Sequence, residues 1–151
     1  MNVMQQARRW FEDGWNARNE AVMREIIDPE AFGLVESGLV RNAEAFFQEM
    51  YWPFVRAFPD LRLEVVSTFS DGENVCIRWR ASGTHLGDDL GMPATGRHVH
   101  FRGITWQRYR GGRLVEGEDG WNLGGVLAAL QSGQGGGSVA VMAAPEPLNL
   151  A

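Results

Sequence analysis

Residues 98–121 read HVHFRGITWQRYRGGRLVEGEDGW, and this stretch decides the fold. Apolar or small residues at Val99, Phe101 and Gly103 alternate with polar ones. This period of two is typical of a β-strand with one buried face. The pair Gly111-Gly112 interrupts the alternation, and glycine favours the left-handed backbone of a hairpin turn. The sequence therefore predicts two long antiparallel strands joined at this glycine pair.

Two registers are open for the hairpin, with a loop of two residues or of three beginning at Gly111. A slip of one residue would move every side chain of a strand to the other face. The three-residue loop is favoured because it places Val115 and Trp121 on the apolar face. The same register sets Thr105 across from Asp119, and this pairing defines the candidate site.

Asp119 is unusual because alternation turns it toward the apolar face, while the neighbouring acids Glu116 and Glu118 face the polar side. A carboxyl group in apolar surroundings resists ionisation, so its pKa rises. A raised pKa suits a general acid or base. Gly103 and Gly117 lie on the same face and are expected to leave space beside the carboxyl group. The alternative is that Asp119 begins an Asp-Gly turn and faces water.

The first third of the chain has the spacing of amphipathic helices, over residues 3–15 and 20–27. The second of these ends at Pro29, because the residue before a proline leaves the helical region. Asn42 is a good N-cap for a further helix, in which Pro53 predicts a kink or an early end.

Beyond Pro59 the period changes to two, first over residues 61–65 and 75–80 and then in the hairpin. Helices followed by a meander of strands predict an α+β fold. We expect one domain over residues 1–132. The tail, residues 133–151, is rich in glycine, alanine and proline, so we expect it to be flexible and without packed structure.

Composition excludes several classes of protein. The chain has 151 residues, of which 44% are hydrophobic and 22% charged, as in a single globular domain. A net charge of −5 argues against binding to nucleic acid. No apolar run is long enough to span a membrane, no signal peptide is evident, and Cys76 alone cannot form an internal disulfide. We therefore expect a cytoplasmic protein.

Histidine supplies the remaining chemical candidates. His98 and His100 share a strand face and could hold a metal together with Glu116. A solvated or interfacial pair is favoured, since no other residue has ligand spacing, and neither a metal nor a cofactor is expected. His85 lies at a strand end, from which it could reach the mouth of a pocket, and it is the second catalytic candidate. Cys76 has no activating base beside it and is taken as structural.

Four short motifs occur in a characteristic order: FPDL at 58–61, VCIRWRASGTH at 75–85, GMPATGR at 91–97 and GRLVE at 112–116. In this order they resemble the SnoaL-like polyketide cyclase family, over about residues 7–130. The resemblance implies the nuclear-transport-factor-2-like α+β cone, in which a curved mixed sheet wraps around N-terminal helices. It also implies an apolar pocket between the sheet and the helices, and commonly a dimer.

In the characterised cyclases, an aspartate on the last strand is the acid/base of an intramolecular aldol closure, and by position it matches Asp119. Those cyclases also place polar side chains, including a histidine, on the neighbouring strand, where this chain has Gly103 and Thr105. The resemblance therefore implies a lyase- or isomerase-like enzyme acting on a hydrophobic carbonyl compound. The expected substrate-binding residues are Trp15, Glu36, Trp52, Phe101, Thr105 and Trp121.

Two alternatives stay open. Epoxide hydrolysis occurs in the same fold, but it uses an aspartate–arginine–aspartate set, and the strand carrying Arg78 offers no second acid. A non-catalytic, hydrophobic ligand-binding dimer is the other. We also expect a homodimer or a dimer of dimers, through a convex sheet face bearing Ile77, Trp79, Ile104 and Trp106.

Overall fold

The computed structural model describes residues 1–132 and 138–140, and it begins with helices. These are α1 (Val3–Arg9), α2 (Glu20–Ile26), α3 (Ala43–Phe46), α4 (Trp52–Ala57) and, near the other end, α5 (Leu123–Gln131). π-Helical turns extend α1 over Trp10–Asn16 and join α3 to α4 over Phe47–Tyr51. The strands are β1 (Ile27–Val35), β2 (Gly38–Val40), β3 (Arg62–Asp71), β4 (Asn74–Thr84), β5 (His98–Arg110), β6 (Arg113–Trp121) and β7 (Ser138–Ala140).

Helix boundaries follow the local chemistry of the sequence. The Asn42 side chain accepts a hydrogen bond from the Ala45 backbone N–H, so the predicted N-cap is confirmed. Pro53 lies in the first turn of α4, where its missing N–H costs little. The irregularity predicted there takes the form of a π-helical turn, in which the Trp52 N–H bonds to the Phe47 carbonyl.

Six strands form one curved, unclosed sheet in the order β2-β1-β6-β5-β4-β3. β1 and β6 run parallel, and the other neighbours in this order are antiparallel. The inner face of the sheet packs on the helices to form a single buried core. The predicted α+β architecture is therefore confirmed.

The β5–β6 hairpin has the predicted long-range register and a different turn. Thr105 pairs with Asp119, as expected. The loop, however, is the two-residue Gly111-Gly112, with φ of 57° and 78°. A bulge at Val115 then restores the register, because one extra residue on a strand shifts all the pairs beyond it. Leu114 rather than Val115 consequently packs inside.

The residues expected to form the dimer interface lie on two different faces of β4 and β5. Ile77 and Trp79 face the helices and are 0% and 5% exposed. Each pairs with an inward position of β5, namely Thr105 and Gly103. Ile104 lies on the opposite, outer face, as does Trp106. The four side chains therefore do not share a surface, and the prediction that Ile77 and Trp79 lie on the outer face is wrong.

Part of the tail forms a strand. Ser138–Ala140 pairs in parallel with His98–His100 of β5, which differs from the expectation of no packed structure there. The other residues of the predicted tail lie outside the described residues, and the division into domain and tail stays a prediction. Within the described part of the chain, no helix has the length and apolar character needed to cross a membrane.

Candidate active site

A pocket lies between the helices and the inner face of the sheet, with a volume of about 920 Å³ including its open mouth. Its wall is mostly apolar and aromatic, and includes Trp10, Trp15, Phe46, Met50, Phe54 and Trp121. From the sheet, three inward polar side chains reach it: Thr105, Gln107 and Asp119. A few polar groups in an apolar hollow are typical of a small-molecule site.

Asp119 is held by a chain of two hydrogen bonds. The Trp79 indole Nε1–H donates to Thr105 Oγ1 at 3.0 Å, and the Thr105 hydroxyl donates to Asp119 Oδ1 at 2.6 Å. The direction is fixed because an indole N–H can only donate, so the hydroxyl proton is free to point at the carboxylate. No donor from the described residues bonds to Asp119 Oδ2. One oxygen is thus anchored and the other is left for a ligand.

Burial among apolar side chains raises the pKa of Asp119 to about 6. The Thr105 hydrogen bond opposes this by lowering the pKa, and the negative charge of Glu36 raises it further. Desolvation is the largest of the three effects because it penalises the charged form. The group is therefore mostly ionised at neutral pH, yet basic enough to accept a proton from carbon or oxygen.

Two glycines beside Asp119 have different roles. A Cβ on Gly103 would lie 2.4 Å from Trp79 Cζ2, so the space expected over Gly103 is filled by the indole ring. A Cβ on Gly117 would meet only the Trp106 carbonyl oxygen, at 3.4 Å. The open space beside the carboxyl group therefore lies at Gly117, and Gly103 serves to admit Trp79.

An aromatic wall stands next to the carboxyl group. Trp121 stacks on Phe101 with ring centroids 5.1 Å apart and meets Phe54 edge-on at 5.6 Å. Trp15 lines the pocket farther along, against Tyr51. Of the expected substrate-binding residues, Trp15, Phe101, Thr105 and Trp121 thus reach the pocket.

Trp52 and Glu36 lie elsewhere. Trp52 does not line the pocket. The Arg56 guanidinium lies over its ring, with Cζ 5.5 Å from the ring centroid, on the surface of α4. Glu36 accepts a hydrogen bond from the Trp121 backbone N–H at 3.0 Å and borders a neighbouring cavity. That cavity shares Phe54 and Trp121 with the pocket, so Glu36 acts on Asp119 through charge rather than contact.

His85 is not brought to the pocket. It is fully buried, its Nδ1 accepts from the Thr95 backbone N–H at 3.2 Å, and its ring packs against Phe58. Burial lowers the pKa of His85, which favours the neutral ring. Its backbone also bonds to Gly96 and Arg97. The residue therefore secures the loop before β5, and the structure offers it no route to Asp119.

The histidine pair does not assemble with its expected third ligand. His98 Nδ1 bonds to Thr84 Oγ1 at 2.8 Å, and the ring packs edge-on against His100. Glu116 instead forms an ion pair with Arg108 at 2.8 Å. Over residues 1–132, no group of three potential metal ligands comes together.

Sequence reasoning missed Gln107 and the role of Trp79. Gln107 is buried on the pocket side of β5, where its Oε1 accepts from the Tyr109 hydroxyl at 2.8 Å. The alternation that assigned Thr105 to this face applies equally to a residue two positions later. The indole hydrogen bond had no such signal, since it depends on the close approach at Gly103.

The fold and site together define an α+β protein with a half-buried acid in an apolar pocket. The SnoaL-like polyketide cyclase family model matches residues 5–130, and the chain belongs to this family. No curated protein matches the chain.

Three solved structures share the fold. A SnoaL-like protein from Jannaschia sp. CCS1 is 24% identical, with a TM-score of 0.81 over 87% of this chain and 93% of its own. AclR of Streptomyces galilaeus, provisionally described as a hydroxylase, is 25% identical, with a TM-score of 0.72 over 85% and 82%. IdmH of Streptomyces antibioticus, provisionally described as a polyketide cyclase, is 24% identical, with a TM-score of 0.73 over 86% and 99%. The fold implied by the motifs is thereby confirmed.

Proposed function

We propose that this protein is an enzyme that uses Asp119 as general base and acid on a hydrophobic carbonyl compound, in an aldol closure or an isomerisation. One observation carries the proposal: a carboxyl group with a pKa of about 6, anchored through one oxygen, faces an apolar pocket with its other oxygen free. Membership of the cyclase family supports it.

The reaction needs two proton transfers. Asp119 Oδ2 takes a proton from the carbon next to a carbonyl group, and the C–H electron pair moves into an enolate. In a closure, the enolate carbon attacks a second carbonyl carbon of the same molecule, whose oxygen then takes the proton back from Asp119. In an isomerisation, the proton returns at a different carbon. A positioned base of this kind contributes about 10²–10⁴ in rate.

The amino-acid composition also favours direct enolisation of the ketone over a route through a lysine Schiff base. All 14 basic residues are arginines, so no lysine side chain of this sequence can form a Schiff base with a ketone. Within the described residues that line the pocket, no arginine is present. The substrate is accordingly a neutral, apolar molecule rather than a carboxylate or a phosphate ester.

Two other functions are compatible with the fold. Epoxide hydrolysis in this fold uses an aspartate–arginine–aspartate set. The described residues that line the pocket include no arginine, and the residue opposite Asp119 is Thr105 rather than a second acid. A non-catalytic binding protein would have the same pocket, and only turnover separates it from an enzyme. A cytoplasmic location, a hydrophobic small molecule as partner and a dimeric assembly belong to the same proposal.

Exchange of carbon-bound hydrogen tests the function without knowledge of the natural substrate. The protein is incubated in D₂O with a flat aryl ketone such as 2-acetylnaphthalene, and loss of the methyl signal is followed by NMR. We expect catalysed exchange in the wild type and a loss of about 10²-fold or more in Asp119→Asn. Equal exchange in the two proteins would contradict the proposal.

A further inference from the structure

Gln107 is a polar side chain that lines the pocket and has no role in the proton transfers proposed for Asp119. It lies on β5 two residues beyond Thr105, lines the pocket and is 2% exposed. The Tyr109 hydroxyl donates to its Oε1 at 2.8 Å. Because burial raises the pKa of Tyr109, this hydroxyl stays protonated.

The Tyr109 hydrogen bond fixes how the amide is turned. With Oε1 engaged, Nε2 is the free end of the side chain. No described residue accepts a hydrogen bond from Gln107 Nε2. Among the described residues, the side-chain nitrogens that are both fully buried and without a partner belong to His85 and Arg97, so Gln107 Nε2 retains some exposed surface. An unpaired amide donor in an apolar pocket costs roughly 1–3 kcal/mol. The geometry therefore leaves a donor that lacks an acceptor at the pocket surface.

Its position relative to Asp119 follows from the strand register. Gln107 pairs with Gly117, and Thr105 pairs with Asp119, so Gln107 and Asp119 are diagonal neighbours on one face. Diagonal neighbours across antiparallel strands lie roughly 7–8 Å apart. Gly117, between them, has no side chain, and its Cβ position is open. A ligand can therefore contact both groups at once.

We propose that Gln107 Nε2 donates a hydrogen bond to the substrate carbonyl oxygen while Asp119 removes the proton from the adjacent carbon. A carbonyl group and its α-carbon, with one contact of roughly 3 Å at each end, span about 8 Å from the amide nitrogen to the carboxylate oxygen. Side chains that start from diagonal positions of the two strands can hold a ligand of this length between their polar ends. As the C–H bond breaks, the proton passes to Asp119 Oδ2, a C=C bond forms and the charge moves to the oxygen held by Gln107. This inference rests on the proposed function and narrows the substrate to a neutral ketone.

The test compares two ligands of the same shape. 2-Acetylnaphthalene and 2-isopropenylnaphthalene differ in C=O against C=CH₂, so the ratio of their dissociation constants isolates the carbonyl hydrogen bond. The ratio is measured by tryptophan fluorescence, and methyl exchange of the ketone by NMR in D₂O. The variants are Gln107→Met, which keeps the volume of the side chain, and Asp119→Asn, with Gln48→Met on the exposed face of a helix as control.

We expect the wild type and Gln48→Met to prefer the ketone by about 2–10-fold. Gln107→Met should bind both ligands equally and lose about 10²–10³ in exchange, the loss typical of an oxyanion donor. Asp119→Asn should keep the ketone preference and lose exchange. Ketone preference and exchange in Gln107→Met within twofold of the wild type would overturn the inference, and so would a wild type without ketone preference.

The outcomes separate this inference from the function on which it rests. Exchange that needs Asp119 but not Gln107 refutes the inference and leaves the proposed function standing. Ketone preference that needs Gln107, without any exchange, refutes the function and supports the inference. If Gln107→Met does not fold, Tyr109→Phe decides, because it frees the amide to rotate and keeps Nε2. A fall in its ketone preference supports the inference, and a change in melting temperature alone refutes it.

Discussion

Replacing Asp119 by asparagine should stabilise the protein at neutral pH. The folded pKa of about 6 lies above the ordinary value of 3.8, because burial penalises the charge. The difference corresponds to roughly 3 kcal/mol, at about 1.4 kcal/mol for each pH unit. Since the pocket mouth admits water, we expect about 2–3 kcal/mol. Asparagine carries no charge and keeps the shape of the side chain.

The sign of the pH dependence follows from the raised pKa. Above pH 6 the wild type bears the full cost of a buried charge, and that cost is relieved as the pH falls through 6 toward 4. Asp119→Asn should therefore melt about 5–10 °C above the wild type at pH 7.5. The two melting temperatures should converge near pH 4.

Thermal unfolding from pH 4 to pH 8 measures this difference, and groups common to both proteins cancel in it. Glu64→Gln is the matched control, because it removes one negative charge from an exposed position of β3 that lines neither cavity. We expect no pH-dependent gain there. An Asp119→Asn protein that is less stable than the wild type at pH 7.5 would show that the carboxylate anchors the structure, and the argument for a desolvated base would fail.

Three further predictions follow from the packing. Gly103→Ala should displace the Trp79 indole and lower the melting temperature by several degrees, whereas Gly117→Ala should fold normally, as calorimetry would show. We predict a homodimer or a dimer of dimers through the outer face that carries Ile104 and Trp106, and light scattering that gives a monomer at micromolar concentration would contradict it. Deletion of residues 133–151 removes the short pairing of Ser138–Ala140 with β5 and should still leave the melting temperature within a few degrees, and a larger loss would show that this segment stabilises the domain.

The sequence predicted what depends on periodicity and missed what depends on local irregularity. Alternation placed Asp119 opposite Thr105 because side-chain direction along a strand has a period of two. It did not reveal the bulge at Val115, since a two-residue loop plus a bulge gives the same distant register as a three-residue loop. The pairing was thus right and the turn wrong.

Which face of each strand meets the helices could not be predicted from the sequence in the same way. Ile77 and Ile104 are both apolar, and no periodicity within one strand states which of its faces meets the helices. Only the β4–β5 register, which pairs Ile77 with Thr105, shows that Ile77 points inward and Ile104 outward. The direction of the His85 side chain could not be predicted for a related reason, because a histidine at a strand end can turn into the pocket or into the loop, and here it turns into the loop and bonds to Thr95.

The partner of Asp119 also determines what kind of base this site provides. The cyclases that the motifs resemble place polar side chains, including a histidine, on the neighbouring strand, whereas this chain has Gly103 and Thr105 there, and Thr105 is itself held by Trp79. A hydroxyl group does not titrate near neutral pH, so the pKa of Asp119 is set by desolvation and the charge of Glu36, which raise it, against one neutral hydrogen bond, which lowers it. Gly103 admits the indole that holds this hydroxyl, and the indole in turn covers the sheet beside the carboxyl group. The packing beside Asp119 and the hydrogen bond that orients its carboxyl group therefore depend on the same tryptophan.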